Sequence, residues 1–359
     1  MAVRNPAQAR GALLGLPLLL LLTGCPPTLS KPRGEGYEEK LVEATRHQNA
    51  GRYDEAAEAY AEASRLAERR VDQDEARYRQ ARAWMRMERY EDAVALLDRI
   101  GDRKPPSRRT ARAIFDAARL RYEHLEQYDE AKVGFERVIR EFPDSGLGGR
   151  AIYFRIEDFR RQGHLEGSIA YLAALYGEVK ETSLGDDVLW AKAGVHKELE
   201  QAEAEQRTLE LLVRKHPYPM GHNWDEAIMR LAEIYLEQGN PQRAIQILEE
   251  LVAEVETTTI VGSYVRSTMP KAYLWIGTIY RDELGDRKNA ERVFTRFSKV
   301  FPRSTLNDDV LFERGVMWLD AGETEKGCQI LGELVRKFDV GNARRRAQAR
   351  LEADCEERS

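Results

Sequence analysis

The chain has 359 residues, 33% of them charged, 42% hydrophobic and 8% aromatic. Its 56 Lys and Arg against 61 Asp and Glu leave a formal charge of −5, which excludes a protein that holds nucleic acid through a broad basic face. Strand-type alternation is weak throughout and helical spacing is strong, so the expected fold class is all-α.

The first ten residues carry Arg4 and Arg10 and no acid, Gly11–Leu22 is apolar, and Leu22-Thr23-Gly24-Cys25 closes the run. A positive start, a short apolar core and small residues before a cut point describe a secretory signal. The apolar stretch is too short for a membrane-spanning helix, and Pro17 interrupts it. An ordinary secretory signal with an incidental cysteine is the alternative. Leu22–Cys25 resembles a bacterial lipobox. That resemblance implies cleavage after Gly24, a diacylglyceryl group on Cys25 and a further acyl chain, of the palmitate type, on the new amine. Such chains contribute roughly 0.8 kcal/mol per buried methylene, enough in pairs to hold a protein on a bilayer. Pro26 stands where lipoproteins retained in the inner membrane carry Asp, so the resemblance implies the outer membrane, facing the periplasm. Residues 1–24 are thus expected to be a signal peptide and 25–36, with PPTLSKPRGEG, a flexible tether.

From Tyr37 one unit recurs. Its clearest copy is Lys271–Pro302, an amphipathic run with Tyr273, Ile276, Gly277 and Tyr280, a Leu-Gly-Asp turn, a second run with Ala290, Phe294 and Phe297, and a terminating proline. The small residue opening each second run is Ala56, Ala93, Ala131, Ser168, Glu205, Ala244, Ala290 and Gly327, at intervals of 37, 38, 37, 37, 39, 46 and 37. The copy around Glu205 is the most degenerate. The long interval contains Glu256–Pro270, expected to be a protruding loop or a passive insertion. One helix pair cannot bury its apolar faces alone, but stacked copies can.

These residues resemble tetratricopeptide repeats. The endings Phe142-Pro143-Asp144-Ser145 and Phe301-Pro302-Arg303-Ser304 are similar to those of envelope repeat proteins, including BamD-type assembly lipoproteins and Tol-Pal-associated coordinators. The resemblance implies a right-handed, TPR-like α-solenoid of about eight helix pairs over 37–341. HEAT-type arrays are the second fold choice. A charged run over 342–359 is expected to supply a capping helix and a tail. BamD-type proteins usually have five repeats, so the count of eight departs from them.

In such repeats the first helix of each pair lines a concave groove. The expected groove line is Tyr78, Phe115, Tyr153, Trp190, Met229, Leu274 and Phe312, with Arg82, Arg119 and Arg160 a turn later. The competing register makes these core residues. The face is expected to be basic towards the N-terminus, with Arg86 and Arg161, and acidic in the sixth repeat, with Glu226, Glu233 and Glu237; a solvated mixed-charge face is the bland alternative. The basic loop Arg103–Arg112 is a further candidate for anionic contacts.

No catalytic motif stands out: no phosphate-binding Gly-rich loop, no Gly-x-Ser-x-Gly, no His-Glu-x2-His and no Cys-x2-Cys. Neither a metal, a cofactor nor a small-molecule substrate is expected. His216 and His222 read as a loop between repeats. With Cys25 assigned to lipid, Cys328 and Cys355 either pair in the oxidising periplasm or remain separate thiols. The expectation for function is therefore an outer-membrane-anchored scaffold for envelope proteins, without catalysis. The alternatives are a BamD-like β-barrel assembly component, a pilus, secretion or motility lipoprotein, and, more remotely, a wall-remodelling enzyme.

Overall fold

The computed structural model describes residues 32–253 and 266–355. The expected signal peptide, Cys25, most of the tether, residues 254–265 of the insertion and the last four residues lie outside them. Among the described residues there are seventeen α-helices and no strand. The chain runs as pairs: α1 Tyr37–Asn49 with α2 Tyr53–Leu66, α3 Arg70–Arg86 with α4 Tyr90–Gly101, and α5 Thr110–Glu123 with α6 Tyr128–Glu141. Next come α7 Gly148–Arg161 with α8 Gly167–Val179, α9 Gly185–Glu198 with α10 Ala202–Lys215, and α11 Trp224–Glu237 with α12 Pro241–Ala253. The array closes with α13 Thr268–Asp282 and α14 Arg287–Val300, α15 Asn307–Asp320 and α16 Thr324–Lys337, then the single helix α17 Asn342–Asp354. None of the helices among the described residues is long and apolar enough to cross a membrane.

Each pair turns in the same way. Two or three residues past the end of each first helix, one residue adopts positive φ: Gly51, Glu88, Glu126, Gly163, Glu200, Gly239, Gly285 and Gly322. Five residues later comes the small anchor of the second helix, and Ala56, Ala93, Ala131, Ser168, Ala244 and Ala290 all have no exposed surface. Left-handed backbone reverses the chain, and a small side chain at the next close approach lets the helices touch. At Gly277 that approach is so tight that a Cβ would stand 2.3 Å from the Phe294 ring.

Glu205 explains why its repeat reads as degenerate. The side chain is buried, and Arg230 from α11 binds its two oxygens at 2.7 and 3.2 Å. A bidentate ion pair between repeats replaces the usual small-residue contact. Arg155 plays a similar part in α7: it is buried, donates to Glu136 of α6 at 2.7 Å and lies near the rings of Phe159 and Tyr171.

Two boundaries differ from the sequence reading, and the start of the cap agrees with it. The tether does not stay free up to Tyr37: Glu68 donates its backbone N–H to the Arg33 carbonyl at 2.9 Å. Gly34 lies so close to the end of α2 that a Cβ would sit 2.0 Å from the Leu66 carbonyl oxygen. The insertion ends early, because Thr268, Met269 and Pro270 already belong to α13 and Met269 is fully buried. The capping segment is helical over Asn342–Asp354, and a disulfide joins Cys355 at its end to Cys328 of α16, with the Cα atoms 6.0 Å apart.

Among the described residues, first helices approach one another at α7 with α9, α11 with α13, α13 with α15 and α15 with α17, and no two second helices approach as closely. The closer spacing puts the first helices on the inner side of the curve, which forms the concave groove.

Candidate functional site

Two clefts open on the groove among the described residues. The central one, of about 710 Å³, lies among α7, α9, α11 and the start of α13. Tyr153, Trp190 and Met229 line it, with Arg160, Glu198, Glu205 and Arg230 around them. Tyr153 is 58% exposed. The N-terminal cleft, of about 650 Å³, lies between α3 and α5 and collects Arg82, Arg86, Arg109, Arg112 and Arg119 around Asp116.

The expected groove line is correct only in part. Tyr78, Phe115 and Phe312 are buried, at 5%, 0% and 6% exposure. The reason is the same each time: a guanidinium from the start of the next first helix covers the ring. Arg109 lies 4.6 Å over Tyr78, Arg150 lies 4.6 Å over Phe115 and Arg346 of α17 lies 3.9 Å over Phe312. Tyr78 is also tied down by its hydroxyl, which donates to Asp116 at 2.7 Å. Leu274 is half-buried and packs against the core outside both clefts. The residues just before four of the groove positions, Ile114, Ile152, Leu189 and Ile228, are buried.

The charges are arranged as unequal sets. In the N-terminal cleft the arginines outnumber the one carboxylate, Asp116, which accepts from Arg112 at 3.1 Å. Arg119 pairs with Glu123 at 2.6 Å, whereas Arg82 and Arg86 make no ion pair among the described residues. The central cleft is mixed. Arg160 is held by Glu198 at 2.7 Å and by Glu157; Arg230 is held by Glu205, Glu233 and Glu237. Arg161 turns away and lies 3.8 Å over the Tyr128 ring. Two carboxylates in the cleft, Asp187 and Glu226, have no cationic partner among the described residues. Burial pushes the Asp187 carboxyl above its usual range, against the opposing hydrogen bond from the Asn223 amide at 3.1 Å. Loss of water and the neighbouring Asp225 push Glu226 up.

The basic loop is not a free cationic patch. Arg103 pairs with Asp74, and Arg108 and Arg109 with Glu75 at 3.1 and 2.6 Å, so much of its charge stitches α5 to α3. Against the burial that would raise it, Arg109 and Arg79 hold the Glu75 carboxyl down at about 2. No grouping of three or more metal-ligating side chains occurs among the described residues.

What sequence reasoning missed is the control on exposure. The covering arginines open the next first helix, Arg109 just before α5 and Arg150 in α7, but the residue matching Arg150 is Asp187 in α9 and Glu226 in α11. That switch of charge was readable once the repeats were aligned.

No protein of curated function matches the sequence. Among solved structures, a tetratricopeptide repeat protein from Parabacteroides merdae is 15% identical, with 77% of this chain and 98% of that one covered and a TM-score of 0.37. The C-terminal part of a repeat protein from Cytophaga hutchinsonii is 12% identical, with 75% and 98% covered and a TM-score of 0.45. YrrB, described as a TPR protein with an unusual peptide-binding site, is 15% identical, with 60% and 97% covered and a TM-score of 0.37. Tetratricopeptide-repeat family models match residues 49–114, 112–145, 226–256 and 271–304. With the repeated turn and anchor described above, those matches show that the chain carries tetratricopeptide repeats in an all-α solenoid, a fold that binds other proteins.

Proposed function

We propose that this protein is a lipid-anchored scaffold of the bacterial envelope that holds a segment of a partner protein in its central cleft and has no catalysis of its own. The observation that carries the reading is the opening in the groove at Tyr153 and Trp190. Elsewhere on the same line the rings are covered, and here aromatic surface faces a cleft large enough for several side chains. Aromatics held on rigid helices lose little entropy on binding and make good anchors. Lipobox-like Leu22–Cys25 supports anchoring, and Pro26 supports the outer membrane. Fixing a partner at the bilayer raises its effective concentration for a second binding event.

In-cell crosslinking of the lipidated protein, with mass spectrometry of what is bound, tests the reading. Trp190→Ala is expected to lose the crosslinked envelope protein with helix content unchanged, and undiminished capture overturns the cleft as the binding site. Cys25→Ser is expected to move the protein from the membrane fraction to the soluble periplasm, and retention in the membrane overturns the anchor. A wall-remodelling enzyme would instead use Glu226 or Asp187 as its acid. Release of peptidoglycan fragments that is lost in Glu226→Gln would replace the scaffold reading.

A further inference from the structure

The rings of the groove line have a shared way of being satisfied within this chain. Tyr78, Phe115 and Phe312 each lie under a guanidinium delivered by the beginning of the following first helix. A cation over an aromatic face is attracted by the ring quadrupole, and a planar guanidinium can stack flat on it. Tyr153 and Trp190 have the same place in their helices as Phe115, at the sixth residue of α7 and α9. They receive no such cover. At the third residue of the next helix, where α7 supplies Arg150 to Phe115, α9 supplies Asp187 and α11 supplies Glu226. A carboxylate cannot serve the face of a ring, but it can serve a cation that does.

We propose that the central cleft receives an arginine side chain of the partner protein, its guanidinium laid on the Trp190 ring between Tyr153 and Met229, with Asp187 and Glu226 as counter-ions. This rests on the scaffold reading and names the chemistry of the bound segment. The partner's arginine completes the arrangement that Arg109, Arg150 and Arg346 complete internally. The chain's own cations in the cleft do not fill the place. Arg160 and Arg230 are each engaged by two or more carboxylates, and neither Lys197 nor Lys271 pairs with Asp187 or Glu226 among the described residues. Asp187 is on the same helix three residues before Trp190, and Glu226 comes from the neighbouring helix, so carboxylates from two helices share the cleft with the ring. The bidentate fork of arginine can use both, which a lysine ammonium does less well.

Selection of random twelve-residue peptides against the full chain, followed by fluorescence polarisation with the peptides obtained, tests this. The expected result is arginine enriched at one position. Changing it to Gln is expected to weaken binding at least tenfold, and changing it to Lys less. Trp190→Ala and the shape-preserving pair Asp187→Asn with Glu226→Gln are expected to lose similar amounts, with no additional loss when peptide and protein changes are combined. Glu226→Arg supplies an internal guanidinium and is expected to abolish binding with the helix content and melting temperature retained. Peptides that need Trp190 but lack arginine, or tolerate its change to Gln, overturn the inference and leave the cleft as a binding site. If no peptide binds in a Trp190-dependent way, both the inference and the cleft reading fail.

Discussion

The two ends of the groove and its centre are built on one helix register and reach opposite surfaces. Near the N-terminus Phe115 is sealed under Arg150, and near the C-terminus Phe312 is sealed under Arg346. In the centre Tyr153 and Trp190 occupy the same place and line an open cleft. The backbone is alike in all of them. The difference lies in whether the opening turn of the helix that follows delivers a guanidinium. A groove residue's exposure is thus set by a neighbour about 35 positions away rather than by its own helix.

The sharpest break in the comparison is mutational. Phe115→Ala removes a fully buried ring that packs on Phe135 and Phe154, and is expected to cost about 3–5 kcal/mol in urea unfolding. Tyr153→Ala, at the equivalent but open place, is expected to change stability by no more than about 0.5 kcal/mol while removing partner capture. Equal costs would mean that the centre is packed like the ends.

The C-terminal end is next. The Cys328–Cys355 disulfide closes a loop of 27 residues, and in the chain-entropy account opening it costs about 3 kcal/mol. Cys328→Ser is expected to raise hydrogen exchange across α17 first, with the central repeats unaffected. Unchanged exchange in α17 would show that burial of Ala343 and Ala347 alone secures the cap.

Acid separates the regions in the opposite sense. Glu75 has a folded pKa of about 2 against a usual 4.5, so its stabilisation is complete above pH 4.5 and lost as pH falls towards 2. The N-terminal repeats are expected to lose on the order of 2–3 kcal/mol over that interval, and Glu75→Gln is expected to flatten the dependence. Asp187 and Glu226 are raised, so their protonation as pH falls relieves the folded centre instead of weakening it. Hydrogen exchange resolved by repeat, between pH 5 and pH 3, is expected to show α3 and α5 loosening before α9 and α11.

The smallest expected effect concerns the turns. Glu88, Glu126 and Glu200 hold left-handed backbone that glycine holds in the other five pairs. Replacing each with Gly is expected to raise stability by up to about 1 kcal/mol, read from urea midpoints. A loss instead would show that these glutamates make a contact worth more than the strain.

Most of the architecture was legible because it is written in short-range chemistry. A turn residue with an anchor five positions later, small in seven of the eight copies, gives eight pairs without any knowledge of packing. The groove was half legible. Periodicity placed Tyr78, Phe115 and Phe312 on the inner line, but their burial depends on Arg109, Arg150 and Arg346, which belong to the next turn of the superhelix. Glu205 looked like a decayed repeat because its partner Arg230 is 25 residues on. Thr268–Pro270 read as insertion because β-branched and proline residues obscure the first turn of α13.

The opening turn of each first helix therefore works as a shutter on one station of the groove. A codon change to arginine there closes a station, and a change away from it opens one, with the core and the turns untouched. A solenoid built this way can acquire, move or lose a docking point in single mutational steps. Its repertoire of partners is free to drift while its shape stays fixed.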